Sequence, residues 1–294
     1  MQLQIAKGKA MALQTPNERV KINNKNDNMR KLYFILFALI ACNINIIASE
    51  INGSFNDTSL VVRQQAYYLT YRKGINAPAA ERKAAVNRLV QGLPDTDGGL
   101  TGQILDYLQS FSVADFDNES RNHIAGLLKN VDTPHYDALV LLAGFIGVGN
   151  DELLELYRNP DLSVRKKWNI ALALARMGNE EATTWCVQKV KSAPVNGNLI
   201  NYVLPDLVYT RQREAIDYCV ELLFSDEKLC SSPNPNLSEA IPCAYRIIEL
   251  LAPAIEDFPI KVDPSIGLES DNYPKTLQTV REWFKKNSDY KIMK

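Results

Sequence analysis

The sequence predicts an all-α protein of about six antiparallel helix pairs, a reading carried by periodicity, punctuation and self-similarity. From Ser59 onward, apolar residues recur at helical spacing in segments of about 10 to 18 residues, separated by short polar or Pro/Gly breaks. No alternating apolar and polar run is long enough to argue for a strand. The chain also repeats itself: Glu181-Ala182, Trp185 and Cys186-Val187 return as Glu214-Ala215, Tyr218 and Cys219-Val220, each 33 positions later.

In order, the pattern places helices over 59–73, 79–92, 100–111, 119–129, 134–146, 151–158, 162–177, 180–191, 198–210, 213–224, 238–255 and 273–287. Pro78 stands near the start of the second, where a missing N–H removes no helical hydrogen bond. The turn "PDTDGG" from Pro94 precedes the third and "DFDNES" the fourth. Asp95 and Asp97 resemble half of a calcium loop, but counting from Asp95 puts Leu100 and Asp106 where Gly and Glu belong, so both acidic stretches read as solvated turns. Gly149 and Gly178, each followed by Asn, stand where one helix stops and the next begins.

Stepping back by 29 positions lays "GVGNDELLELY" (Gly147 to Tyr157) over "RMGNEEATTWC" (Arg176 to Cys186), and "DALVLLAGFI" over "KKWNIALALA". The repeating unit is a helix-turn-helix. Two amphipathic helices cannot bury their apolar faces alone, so copies stack and complete one another's core. Ala182, Trp185, Cys186 and Val190 share one face at spacings of three and four. The motif therefore reads as architecture: Ala and Cys permit close approach, and the aromatic fills the seam.

The stretch "NPDLSVRKKWNIALALARMGNEEATTWCVQKV", 159–190, resembles a HEAT-like (armadillo-type) repeat. Asp161 and Val164-Arg165 open the first helix, an Ala/Leu-rich core follows, and Gly178 makes the turn. The resemblance is good over 135–224 and degenerate elsewhere. It implies a right-handed α-solenoid that binds other proteins, with the second helices lining the inner face. On that face Glu155, Thr184, Gln188, Asp217 and Glu221 are the candidate partner-binding residues. Trp168 departs from the pattern by standing where small residues are usual. Pro205 departs by interrupting a first helix, and the N-terminal helices lack the Val-Arg signature.

Charge separates the beginning of the chain from the rest. Residues 1–31 carry +5 and the remainder −6, so the body has no broad electrostatic footprint for nucleic acid. "MRKLYFILFALIACNINIIASE" from Met29 has the basic start, apolar run and small residues of a bacterial signal peptide over 29–49. Its apolar run, Leu32 to Ala41, is too short to span a bilayer. "LIAC", Leu39 to Cys42, resembles a lipoprotein signal that would leave a lipid anchor on Cys42. Ala48 or Ser49 offers ordinary cleavage instead. Residues 1–28 read as an upstream over-extension or a disordered tail, and 50–294 as the repeat domain. The expected destination is the periplasm, cell envelope or exterior, with membrane attachment only through Cys42.

Chemistry is sparse. His123 and His135 make no zinc motif, and neither a nucleophile elbow nor a phosphate-cradling glycine loop is present, so no catalytic, cofactor or metal residue is assigned. Cys186, Cys219, Cys230 and Cys243 permit three full pairings in an exported chain. Cys230 and Cys243 bracket "SSPNPNLSEAIP", which a bond between them would staple; the sequence leaves open whether that bond forms. Cys186 and Cys219 occupy equivalent places on stacked helices, whose axes lie roughly 8–10 Å apart, and read as reduced, buried thiols. The expected function is a non-catalytic protein-interaction scaffold with a protein partner; the alternative is an enzyme or carbohydrate-processing accessory with a site in 90–135. Intact mass of the exported protein is expected to begin at a lipid-modified Cys42 or near Ser49 without lipid; a mature chain still starting at Met1 would reject the signal.

Overall fold

The computed structural model describes residues 54–231, 239–263 and 265–293, and twelve α-helices dominate them. Signal segment 29–49, Cys42 and residues 1–28 lie outside the described residues. Contacts divide the chain into two units, the first ending at Ala66 and the second running from Tyr67 to Lys294. In the first, the Asp57 carboxylate accepts a hydrogen bond from the Ser59 amide at 2.7 Å, and Arg63 donates to the Asp57 carbonyl at 2.8 Å. This turn leads into α1 (Leu60–Gly74).

The second unit continues through α2 (Ala79–Gln91), α3 (Gly98–Leu108), α4 (Asn118–Leu127), α5 (Tyr136–Ile146) and α6 (Asn150–Tyr157). It goes on with α7 (Val164–Arg176), α8 (Glu180–Lys191), α9 (Leu204–Thr210), α10 (Arg213–Leu223), α11 (Ala244–Leu251) and α12 (Tyr273–Lys286). The fold is all-α; its one described sheet pairs β1 (Cys230–Ser231) with β2 (Ala240–Ile241), antiparallel. Side chains begin the helices by accepting from otherwise unpaired first-turn amides. Asp97 takes Leu100 N–H at 2.8 Å, Asp117 takes Glu119 and Ser120 N–H at 3.0 and 3.1 Å, and Asn179 takes Ala182 N–H at 2.9 Å.

The first helices of successive pairs pack on one another: α5 on α7, α7 on α9, and α9 on α11. Helices α6 and α8 cover α7, while α10 packs on α8, α9 and α11. A helix held on so many sides must be apolar almost all round, and residues 170–175 of α7 have no exposed surface at all. Its alternation of Ala and Leu suits that position, because leucines fill space while alanines let neighbours approach. The approach is closest at Gly144 of α5, where a Cβ would stand 2.6 Å from Ala173 Cα and 2.5 Å from the Tyr209 hydroxyl. That hydroxyl donates to the Leu141 carbonyl at 2.6 Å.

The turns repeat as well. Left-handed residues follow α5, α7 and α9 at Gly147 (φ 71°), Gly178 (φ 93°) and Arg211 (φ 54°). Only the first two are glycines. The left-handed backbone costs Arg211 roughly 1–2 kcal/mol, and its guanidinium offsets this by donating to the carbonyls of Val208 at 3.0 Å and Pro253 at 3.3 Å. Other arginines reach across in the same manner: Arg121 to Ile146, Arg176 to Tyr209 at 2.8 Å, and Arg281 to Leu223 and Ser225 at 2.9 and 3.0 Å.

Two segments differ from the periodic expectation, both through proline. Over 198–210 the chain forms a π-helix at Leu199–Val203 and only then α9, because Pro205 has no N–H for the bond four residues back and its ring crowds that carbonyl. The helix expected over 238–255 starts at Ala244, since Pro242 biases Ile241 toward extended backbone and β2 pairs there with β1. Cys230 and Cys243 are joined by a disulfide across this pairing, while Cys186 and Cys219 are free and buried. Gly144→Ala is expected to destabilise the fold by about 1–3 kcal/mol despite the better helix former, because the added methyl meets backbone. Denaturant unfolding checks this, and an unchanged midpoint would mean that α5 and α7 can separate without loss.

Candidate partner-binding face

The five candidate residues occupy three second helices: Glu155 on α6, Thr184 and Gln188 on α8, and Asp217 and Glu221 on α10. All five are exposed. Two contacts join α8 to α10 at the same sequence separation of 30: the Thr184 hydroxyl donates to Glu214 Oε2 at 3.2 Å, and Lys191 Nζ lies 3.6 Å from Glu221 Oε2. A constant separation means that the two helices run side by side in the same direction. Helix α6 meets α8 through an edge-to-face contact between Tyr157 and Trp185, with centroids 6.2 Å apart.

Beneath the polar arc, the repeated motif packs inward. Ala182, Cys186, Val187 and Val190, together with Ala215, Ile216 and Cys219, are buried. Burial pushes the thiols of Cys186 and Cys219 up to about 12, so neither is a thiolate nucleophile at neutral pH. Trp185 is half-buried rather than enclosed: it packs against Tyr157 and Trp168, and Lys189 lies 5.8 Å from its ring. Tyr218, its counterpart in the next pair, is buried.

Asp217 differs from the other four. It accepts from Arg213 Nε at 2.9 Å and from the Tyr290 hydroxyl, while the Arg213 guanidinium lies 4.0 Å over the Tyr290 ring and donates to the Tyr290 carbonyl at 3.2 Å. Burial, reinforced by the bond to Asp217, pushes the Tyr290 phenol above its usual range. Asp217 therefore anchors the chain's C-terminal segment in addition to facing solvent.

Sequence reasoning missed the pair Trp168 and Asp206. Trp168 Nε1 donates to Asp206 Oδ2 at 2.7 Å across the α7–α9 contact, and burial raises the Asp206 carboxyl against the opposing effect of that bond. The one available signal was the bulky residue at a position where small ones are usual.

Four of the carboxylates of 90–135 serve local structure. Asp95 accepts from the Asp97 amide, Asp97 and Asp117 cap helices, and Asp115 is buried against Arg82 at 2.8 Å. The Asn87 amide and the Ser120 N–H hold the Asp117 carboxyl below its ordinary value. His135 stands before α5 in a left-handed conformation with its ring over Gly102, and His123 is half-buried on α4. Among the described residues no three His, Cys, Asp or Glu side chains are grouped to hold a metal, and no helix is long and apolar enough to cross a membrane. No family model, no curated protein and no solved structure matches this chain.

The raised carboxyl of Asp206 has a definite sign. The folded chain holds that proton more tightly than the unfolded chain, so stability is lost as pH rises above the unfolded carboxylate value near ~4. Asp206→Asn keeps an acceptor for Trp168 and removes the charge. Its unfolding midpoint is expected to equal or exceed that of the unaltered chain at neutral pH, with the difference vanishing at acidic pH. A lower midpoint at neutral pH would mean that ionised Asp206 is what holds α9 to α7.

Proposed function

We propose that this chain is an exported, non-catalytic protein-interaction scaffold, a right-handed α-solenoid of HEAT-like repeats that presents its second helices to a protein partner. The observation that carries the reading is the constant separation of 30 between contacts joining α8 and α10. Together with the left-handed turns that recur after α5, α7 and α9, it supports a reading of these helices as neighbouring copies of one unit. A stack of this kind leaves a row of polar side chains that no neighbour covers. Glu155 and Gln188 belong to that row, with Glu221 beside them already 3.6 Å from Lys191, and their character suits a partner that offers cations or hydrogen-bond donors.

Export draws support from the Cys230–Cys243 disulfide, a bond that persists in oxidising compartments and is rare in the cytosol. The signal at 29–49 and the alternative lipid anchor at Cys42 belong to the same proposal. For the enzyme alternative, Asp97, Asp115 and Asp117 offer little, because they already serve as caps and braces.

The test captures partners of the exported chain from its own envelope extract, alongside Glu155→Arg/Gln188→Arg and, as a control, Asp106→Ala at an exposed position of α3, a first helix. The double variant is expected to keep its helical spectrum and unfolding midpoint while losing a partner that the control retains. Retention of every partner by the double variant would remove the second-helix face from the proposal.

A further inference from the structure

The C-terminal part of the chain forms an open polar cleft of about 340 Å³ between the segment after α11 and the end of α12 with the segment that follows it. Half-buried Trp283 lines it, and exposed Glu256, Asp257, Asn287, Asp289 and Lys291 supply polar groups, joined by Lys286. Beyond the helix both walls are irregular, yet their backbones are pinned. Glu256 N–H donates to the Lys291 carbonyl at 2.9 Å, Met293 N–H to the Ala254 carbonyl at 2.9 Å, and Ile255 pairs with Ile292. The Asn287 side chain ties back to the Trp283 carbonyl at 2.8 Å, and Tyr290 is clamped by Arg213 and Asp217. Asp257 holds a left-handed backbone (φ 54°) on the opposite wall.

From this arrangement we infer that the cleft is a binding site for a neutral saccharide. The lining carries three carboxylates and two ammonium groups, so acceptors and donors are nearly balanced in charge. Glu256 and Lys291 already face each other at 3.9 Å. Such a lining gives no strong preference for a net ion. It matches a ligand dense in hydroxyls, each of which both donates and accepts. Beside those groups lies the Trp283 ring, braced by Phe258 and Phe284 with centroids 6.0 and 5.2 Å away. A braced aromatic side chain next to groups that donate and accept fits the apolar face of a pyranose ring, and walls pinned through their backbone reduce the ordering cost of binding. The cleft adjoins the second-helix face at one point, the bond from Tyr290 to Asp217, but Trp283 and Asp257, on which the inference rests, are not part of that face.

The experiment titrates the purified chain with maltotriose, cellotriose and chitotriose, read by calorimetry and tryptophan fluorescence, with tetralysine as a charged probe. At least one trisaccharide is expected to bind with a Kd of about 1 mM or tighter. Trp283→Ala is expected to weaken it about fivefold to tenfold, the loss of one aromatic contact. Because Trp283 also packs against its neighbours, Asp257→Asn provides a second reading: Asn tolerates the left-handed backbone, so the fold should persist while affinity falls about threefold. No heat or quenching with any trisaccharide, binding unchanged in both variants, or binding of tetralysine alone would each overturn the assignment.

Discussion

A helix ends with carbonyls that have no partner within it, and a stack of short helices multiplies such ends. In this chain arginines from neighbouring helices supply the missing donors. Arg121 serves the end of α5, Arg176 the end of α9, Arg211 the turn after α11, and Arg281 the end of α10. Charge-assisted bonds of this kind contribute about 1.5–3 kcal/mol each, and the partial negative charge at a helix C-terminus favours a cation there. Arg176 and Arg211 have no carboxylate partner among the described residues. Burial, and then Arg176 itself, brings the Arg211 guanidinium down to about 10, so it still carries its charge at neutral pH. Three of the junctions between successive pairs are thereby fastened through backbone groups whose spacing is set by the helices themselves.

Much of this fold was legible because helices announce themselves locally. The apolar periodicity and the glycine turns located α5 through α8 to within a few residues, and the Ala/Cys register of α8 and α10 gave their buried faces correctly. Arg211 illustrates what was hidden. It takes the place in its turn that Gly147 and Gly178 take in theirs, and only contacts 42 residues distant explain why a bulky side chain is tolerated. The Trp168–Asp206 bond and the Arg213–Asp217–Tyr290 group were invisible for the same reason, since their partners are remote in sequence and no local pattern marks them. Trp185, expected inside, retains solvent access because its neighbours are rings and lysine stems, which cover a side chain only partly.

The candidate face was legible in part. Helical geometry placed the exposed arc of the second helices, so Glu155, Thr184, Gln188, Asp217 and Glu221 all reach solvent. It gave no warning that Asp217 would be enlisted to hold Tyr290, since the tyrosine lies 73 positions away. The cleft beside Trp283 escaped notice altogether. It joins the end of α12 to two non-helical stretches, and nothing in either stretch says that they pair through Ile255 and Ile292.

The disulfide between Cys230 and Cys243 changes what cleavage would do to the molecule. A protease that cuts anywhere between those two positions breaks the polypeptide but leaves its halves covalently joined. Residues up to the first cysteine and those beyond the second would travel as one species until a reductant separated them. The α10–α11 packing and the bonds from Arg281 to the end of α10 span the same division, so the halves would also remain neighbours while folded. In a protease-rich surrounding, this turns the linking stretch into a segment whose scission need not disassemble the protein.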